Sequence, residues 1–210
     1  MSPPNTPLGT EPLARPKISF CLVATGRAPR LLRAAVESVL RQRVEACEIL
    51  VAGTTEHLPG VRLVPCEEAA HSGRLGHLRN LMARASAGNW LAILDEDVIL
   101  APGWYAALKR VREPFDILTS RVLLPDGTRY WDHAAYSEDK GLRLLGNLEA
   151  DARAVPIGGG AWVMTRVVAE AVSWADVPEA FEESDADFGL RCLAKGFSSS
   201  HHPEMVAYRI

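Results

Sequence analysis

Three consecutive acidic residues interrupt an apolar run of the chain, and this segment constrains the fold more than any other. The run from Trp90 to Leu94 is apolar, Asp95, Glu96 and Asp97 follow it directly, and the chain becomes apolar again at once. Adjacent negative charges repel one another at the end of a buried strand, so a cation or hydrogen-bond donors must compensate for them. The segment therefore predicts a buried strand that ends at a polar site.

Asp95 and Asp97 are the candidate metal ligands in this segment. In an extended backbone, residues i and i+2 point the same way, so both aspartates can converge on one ligand while Glu96 faces elsewhere. Hard carboxylate oxygens suit magnesium or manganese, which keep bound waters and are completed by substrate phosphates. A solvated acidic turn is the alternative interpretation of the same pattern.

Apolar periodicity elsewhere predicts an α/β fold with a Rossmann-like, mostly parallel mixed sheet flanked by helices. A strand, a helix and a second strand follow one another early in the chain, and this order implies parallel pairing. Ligands bind outside the carboxyl ends of such strands, where we expect the three acids to lie. Strands are predicted at 18–24, 47–52, 61–64, 90–94, 115–122 and 161–164, helices at 31–42, 75–87, 104–111 and about 182–196, and a less regular stretch at 124–147.

The composition fits a single domain, which we expect to comprise residues 17–210. The chain has 210 residues, 48% of them apolar, and a net charge of −3 without a basic tract, so we expect no nucleic-acid partner. Residues 1–16 contain five prolines and no apolar core of signal-peptide length, and we expect them to be a disordered lead-in. Four scattered cysteines and the lack of a membrane-spanning apolar segment predict reduced thiols and a cytoplasmic location.

Five motifs in this order resemble the family-2 glycosyltransferases of the GT-A fold, within the nucleotide-diphospho-sugar transferase superfamily. The acidic segment, followed by Pro102-Gly103-Trp104, is similar to the Asp-x-Asp motif of that family. The resemblance extends from about Lys17 to the last residue. Its other motifs are the opening strand and turn at 18–27, the Gly-rich segment 73–80 that ends in Arg79-Asn80, the glycines 158–160 and the acidic segment 181–196.

The resemblance implies transfer of a glycosyl group, of hexosyl type, from a nucleotide-sugar donor to an acceptor nucleophile with inversion by direct displacement. It implies Asp97 as the direct ligand of Mn2+ or Mg2+, and Asp95 as a contact to the ribose or part of the metal shell. The metal would stabilise charge on the departing diphosphate. The guanidinium of Arg79 would suit phosphate oxygens, with a surface helix residue as the alternative. Residues implied at the donor are Thr25, Arg27, Arg79, Asn80, Asp95, Glu96 and Arg209.

Asp185 is the candidate general base, because it occupies the Asp of the family's Glu-Asp-x-Asp pattern, with Ser184 where the Glu is usual. A general base must lie within hydrogen-bond reach of the proton that it removes from the acceptor. Crowding by Glu182, Glu183 and Asp187 would raise the pKa of Asp185 into a useful range. The alternative is a helix N-terminus, where Ser184 is a cap and the acids complement the helix dipole.

Aromatic residues and glycines are the candidates for acceptor binding. In the irregular stretch, Tyr130 and Trp131 could stack on a sugar ring or a donor base, with loop packing as the alternative, and the glycines 158–160 indicate a close backbone approach. A core position is favoured for Trp162. The acceptor is expected to be a small molecule, a natural product or a peptide. The residues assigned to the acceptor are Trp131, Gly159, Gly160, Trp162 and Asp187.

Two departures from the family pattern leave donor recognition open. After the second strand the family commonly has an Asp for the donor base, whereas this chain has Gly53-Thr54-Thr55-Glu56. Many members have a metal-binding His near the C-terminus where this chain has Arg209, which cannot ligate a cation but can neutralise a diphosphate. His202 is then the alternative third metal ligand, against a turn or surface histidine. The alternative functions are a nucleotidyltransferase and a non-catalytic nucleotide-sugar-binding scaffold.

Overall fold

The computed structural model describes residues 17–25, 28–54, 57–64, 66, 72–158, 160–176 and 183–210, and for Glu183 and Ser184 only the backbone. These residues form an eight-stranded mixed sheet with helices on both faces, and a separate three-stranded antiparallel sheet. The strands are β1 Ile18–Val23, β2 Cys47–Ala52, β3 Arg62–Val64, β4 Trp90–Asp95, β5 Val98–Leu100, β6 Ile117–Leu123, β7 His133–Ser137, β8 Gly141–Leu144, β9 Ala154–Pro156, β10 Ala161–Thr165 and β11 Ser199–Arg209. The helices are α1 Pro29–Leu40, α2 Leu75–Ala85, α3 Trp104–Leu108, α4 Arg166–Ala171 and α5 Glu183–Ala194.

The large sheet has the strand order β3-β2-β1-β4-β10-β6-β11-β5. Parallel pairing joins β3, β2, β1 and β4, and also joins β6 to β11, whereas β10 and β5 run antiparallel to their neighbours. The predicted α/β fold with a central, mostly parallel mixed sheet is therefore confirmed. Because β10 alone reverses direction between β4 and β6, the carboxyl ends of β1, β4 and β11 point to the same edge.

Burial on both faces explains why the central strands are continuously apolar. Every residue of β1 is buried, because α1 and α3 cover one face of the sheet and α2, α4 and α5 cover the other. Helix α1 begins with Pro29 in its first turn, where a missing N–H leaves no hydrogen bond unmade, and it buries Leu32, Ala35, Val36 and Val39. This layered core fixes the strand ends that carry the polar site.

The sequence predicts β2 with its observed bounds, and the other predicted strands and helices exist with ends shifted by a few residues. The stretch 124–147, predicted to be less regular, contains the hairpin of β7 and β8. Strands β5, β9 and β11 and helix α4 are not apparent from the sequence. Strand β11 begins with a polar run, and it is extended because it pairs with β6 and β5 on either side.

Of the helices that the structure describes, none combines the length and apolar character needed to cross a membrane. The predicted lead-in at 1–16 lies outside the described residues. All four cysteines are free, and burial raises the pKa of the Cys21 and Cys192 thiols to about 12. These two thiols are therefore protonated and unreactive near neutral pH.

Candidate active site

A cavity of about 340 Å3 opens at the carboxyl edge of the large sheet. The end of β1 lies beside the end of β4, with Val23 in register with Asp95, and the last residue of β11 reaches the same edge. The fold therefore brings the acids after β4 together with the C-terminal residues of the chain. The cavity is lined by Val23, Thr25, Ala28, Leu31, Leu75, Asp95, Glu96, Asp97, Arg209 and Ile210.

The three acids in this cavity have three different partners. Asp95 accepts a hydrogen bond from Nη2 of Arg79 at 3.1 Å, and Asp97 accepts one from Nε of Arg209 at 3.1 Å. Glu96 accepts hydrogen bonds from the backbone N–H of Thr25, at 3.1 Å, and from its hydroxyl. Glu96 and Asp97 form a turn between β4 and β5, so the extended geometry assumed in the sequence analysis does not apply beyond Asp95. Glu96 is nevertheless turned away, toward the end of β1.

Asp97 has one carboxylate oxygen that is available for a further ligand. Its Oδ2 pairs with Arg209, whereas its Oδ1 is buried and has no hydrogen-bond partner among the described residues. Burial raises the pKa of Asp97, the charge of Asp95 raises it further, and Arg209 lowers it. A buried carboxylate oxygen without a donor is costly, and a bound cation would remove that cost.

Arg209 is fixed between an acid and an aromatic ring. Its Nε donates to Asp97, and the centre of its guanidinium lies 4.7 Å from the centroid of the Tyr130 ring. Burial alone would lower the pKa of Arg209, but Asp97 and Asp95 raise it above its ordinary value. A permanent cation therefore lies in the cavity, at the C-terminal position where the resemblance led us to expect a histidine.

Arg79 and Asp185 lie beneath the cavity rather than in it. The Nη1 atom of Arg79 is 2.8 Å from Oδ1 of Asp185, and its Nη2 bonds Asp95. Arg79 is 1% exposed and Asp185 is 2% exposed. Burial raises the pKa of Asp185, although Arg79 opposes this shift and Asp95 adds to it. The guanidinium of Arg79 is thus enclosed between two carboxylates and positions Asp95, and its contact to the nucleotide stays a prediction.

Asn80, predicted to contact the donor, is bonded to the backbone of Trp174. Its side-chain amide donates to the carbonyl of Trp174 at 2.9 Å and accepts from the N–H of the same residue at 2.9 Å. Both ends of the amide are therefore engaged by one backbone segment. This contact ties α2 to the segment after α4, and the predicted contact of Asn80 to the donor stays a prediction.

Glycines 158 and 160 each contact a functional side chain. A Cβ atom on Gly160, whose φ is +47°, would lie 2.4 Å from Cγ of Asp95, so only glycine fits there. A Cβ atom on Gly158 would lie 3.5 Å from the Tyr130 ring and 3.4 Å from the carbonyl of Trp131. The backbone at these two glycines therefore lies close to Asp95, to the Tyr130 ring and to the carbonyl of Trp131. Gly159 lies outside the described residues, as does Arg27.

The remaining predicted residues lie apart from the cavity. Trp162 lies in the core, the position that the sequence favours, since it is 1% exposed and packs on Trp174 and Phe188. Asp187 pairs with Arg191 one turn further along α5, at 2.9 Å. His202 lies within β11, opposite Ser120 of β6, and does not line the cavity.

Two apolar residues of the cavity, Leu75 and Ile210, carry no sequence signal that distinguishes them from core or surface positions. The Arg209 and Tyr130 contact is also invisible in the sequence, because it joins two segments far apart in the chain. Among the described residues, no group of three or more His, Cys, Asp or Glu side chains could hold a metal ion. A cation bound at Asp95 and Asp97 would therefore need waters or a substrate to complete its ligands.

No protein-family model and no curated protein matches the chain. The structure is similar to the crystal structure of GalNAc-T7 with UDP, GalNAc and Mn2+, with a TM-score of 0.68 and 14% identity over 95% of this chain and 44% of that one. It is also similar to the crystal structure of S. aureus TarS 1–349, with a TM-score of 0.61 and 12% identity over 92% of this chain and 60% of that one. The chain thus spans about half the length of these proteins. The similarity shows that its fold is GT-A-like.

Proposed function

We propose that this chain is a glycosyltransferase that moves a sugar from a nucleoside-diphosphate donor to an acceptor nucleophile. The observation that carries the proposal is the cavity in which Asp95 and Asp97 face the guanidinium of Arg209 at the carboxyl edge of a GT-A-like sheet. Such an edge is where ligands bind in open α/β sheets. The similarity to a protein crystallised with UDP, GalNAc and Mn2+ supports the choice of donor class.

The charges of the cavity fit a divalent metal, Mn2+ or Mg2+. The lining holds three carboxylates and one guanidinium, so a cation beside Asp95 and Asp97 would offset their repulsion of an incoming diphosphate. Asp97 has a buried oxygen without a partner among the described residues, and Asp95 lies close enough to shift the pKa of Asp97. These ions are commonly bound by one or two carboxylates together with substrate phosphates. When bound, the metal supplies Lewis-acid stabilisation of the departing diphosphate.

Different residues of the cavity would then contact the diphosphate and the nucleoside of the donor. Arg209, held by Asp97 and the Tyr130 ring, is placed to donate hydrogen bonds to phosphate oxygens. Thr25, just after β1, is bonded to Glu96, and the apolar residues Leu31 and Leu75 also line the cavity. We assign the diphosphate to the Arg209 side and the nucleoside to the Thr25 side.

The transfer we propose is a single displacement with inversion. The acceptor oxygen forms a bond to the anomeric carbon, the bond from that carbon to the diphosphate oxygen breaks, and the acceptor proton passes to Asp185. Burial keeps the pKa of Asp185 above its ordinary value, which suits a base. In the conformation described, Asp185 is paired with Arg79, so this role requires that substrate binding bring the acceptor to its carboxylate.

A non-catalytic nucleotide-sugar-binding protein is the second candidate, and the closed Arg79 and Asp185 pair is the observation that favours it. Release of nucleoside diphosphate from a panel of nucleotide hexoses, with Mn2+, Mg2+ or a chelator, separates the two functions. We expect the natural chain to release nucleoside diphosphate slowly and only with metal, even without an acceptor. We expect Asp185→Asn to bind the donor equally well but to release nucleoside diphosphate at least tenfold more slowly. Binding without any release would favour the second candidate, and equal release by Asp185→Asn would remove Asp185 from the role of base.

A further inference from the structure

Two adjoining cavities lie beside the donor cavity and share the side chain of Trp131. The smaller, of about 310 Å3, is lined by Tyr130, Trp131, Leu142, Ile157 and Gly158. The larger, of about 730 Å3, follows the β7 and β8 hairpin. We call the two together the hairpin groove. Its larger part has a charged and aromatic lining that includes Trp131, Tyr136, Asp139, Lys140, Arg143 and Arg153.

The hairpin groove begins where the donor cavity ends. Tyr130 lines the smaller cavity, and its ring makes a cation–π contact with the guanidinium of Arg209, which also pairs with Asp97. Two glycines make the second connection, since Gly158 lies next to the Tyr130 ring and the carbonyl of Trp131, whereas Gly160 lies against Asp95. A molecule bound in the groove therefore has one end next to the carboxylates that we assign to the donor.

We propose that the hairpin groove binds the acceptor and that the acceptor is a carbohydrate chain of at least two rings, with Trp131 as its stacking platform. The proposal rests on the proposed function and deepens it by naming the acceptor class. Trp131 is 48% exposed and lines both cavities, so a ring in either cavity can lie against it. A large aromatic side chain left half exposed between two cavities is typical of a binding surface.

The chemistry of the lining favours a sugar over other acceptors. The indole face packs against the C–H face of a sugar ring, and planar guanidinium and carboxylate groups bind its hydroxyls. The three cations Lys140, Arg143 and Arg153 are offset by the two acids Asp139 and Asp151, so the larger cavity has one net positive charge, too little to attract a polyanion. A lipid acceptor is disfavoured, because its apolar chain would cover these charged groups and remove them from water at a cost in free energy. The cavities are of the size that proteins use for small ligands.

Fluorescence and calorimetric titrations of the full chain test this proposal. The probes are α- and β-linked disaccharides and trisaccharides of glucose, galactose, mannose and N-acetylglucosamine, and peptides of similar mass. We expect saturable binding of at least one saccharide, at least tenfold weaker with Trp131→Ala and within about threefold of the natural chain with Trp131→Phe. Val167→Ala, which shortens another exposed apolar residue on α4, is the matched control and is expected to bind normally.

The outcomes separate this inference from the proposed function. Nucleoside diphosphate binding with Mn2+ is titrated on the same samples, and thermal unfolding shows that each variant is folded. Donor binding without saccharide binding would overturn the groove assignment and leave the transferase standing. Tight binding of peptides instead of saccharides, or saccharide binding unchanged by Trp131→Ala, would also overturn it.

Discussion

Arg79 and Asp185 form a buried ion pair, with Nη1 and Oδ1 2.8 Å apart, directly beneath the carboxylates of the candidate active site. The same guanidinium bonds Asp95, so one cation compensates two acids that folding has removed from water. Removing one member of such a group leaves a buried charge uncompensated. The relationship explains how Asp95 can be held at the end of β4 before any ligand binds.

Breaking this pair on one side is therefore expected to destabilise the fold strongly. Arg79→Met should lower the free energy of unfolding by about 3–5 kcal/mol, because Asp95 and Asp185 would then lack their shared cation. The double variant Arg79→Met with Asp185→Leu should be more stable than Arg79→Met alone. Urea denaturation of the natural chain, Arg79→Met, Asp185→Leu and the double variant measures both effects, and simple additivity of the two single losses would contradict the coupling.

Gly160→Ala should disrupt the donor site through Asp95. The new Cβ atom would lie 2.4 Å from Cγ of Asp95, so the carboxylate must move. We expect at least tenfold weaker binding of nucleoside diphosphate and metal by calorimetry. Gly127→Ala is the control, because Gly127 also has a positive φ, +83°, but open space where its Cβ would be. Both variants should lose about 1–2 kcal/mol of stability from the left-handed backbone, and only the first should lose ligand.

Substitutions of Arg209 should separate the contribution of its positive charge to donor affinity from that of its planar shape. Arg209→Lys keeps a cation beside Asp97 but loses the planar group that lies on Tyr130, so a moderate loss of donor affinity is expected. Arg209→Gln removes the charge and should weaken donor binding by at least a further tenfold. Calorimetric titration with nucleoside diphosphate and Mn2+ compares the two. Equal affinities for both variants would show that the positive charge is unimportant.

Acid should destabilise the protein through two stacked histidines. His133 and His201 have ring centroids 5.6 Å apart, and burial lowers the pKa of His133 to about 4 and of His201 to about 3. Both pKa values are lower than the unfolded value of about 6.5, so the unfolded chain binds more protons below that pH. Stability should be complete above pH 6.5 and fall as the pH drops toward 4 and 3. Urea midpoints between pH 7 and 4.5 test this, and a midpoint unchanged over that range would contradict it.

The sequence predicts the fold better than it predicts the roles of residues. Strands β1, β2 and β4 are buried on both faces and therefore leave continuous apolar runs, which periodicity detects. Strand β11 begins with polar residues and is a strand only through its partners, so no local pattern indicates it. Its end nevertheless supplies Arg209 to the site.

Within the site, the type of a residue predicts its chemistry better than it predicts its position. The acidic run at Asp95 and Asp97 indicates a polar site because burial cannot explain it. Arg79 is in the segment where a donor contact was expected, but helical spacing does not show whether its guanidinium faces the cavity or the core. Gly160 is a glycine because Asp95 occupies the space of a side chain, which is a contact between distant segments.

The most direct test of the account is calorimetric titration of UDP, GDP, CDP, ADP and dTDP into the protein with Mn2+, with Mg2+ and with a chelator. Asp97→Asn is compared with Glu204→Gln, an exposed acid of β11 whose partner is Arg110. We predict that one nucleotide binds only with metal, at least tenfold more weakly to Asp97→Asn and unchanged to Glu204→Gln. Binding that is equally tight with chelator, or no binding of any of the five, would contradict a metal-assisted donor site at Asp95 and Asp97.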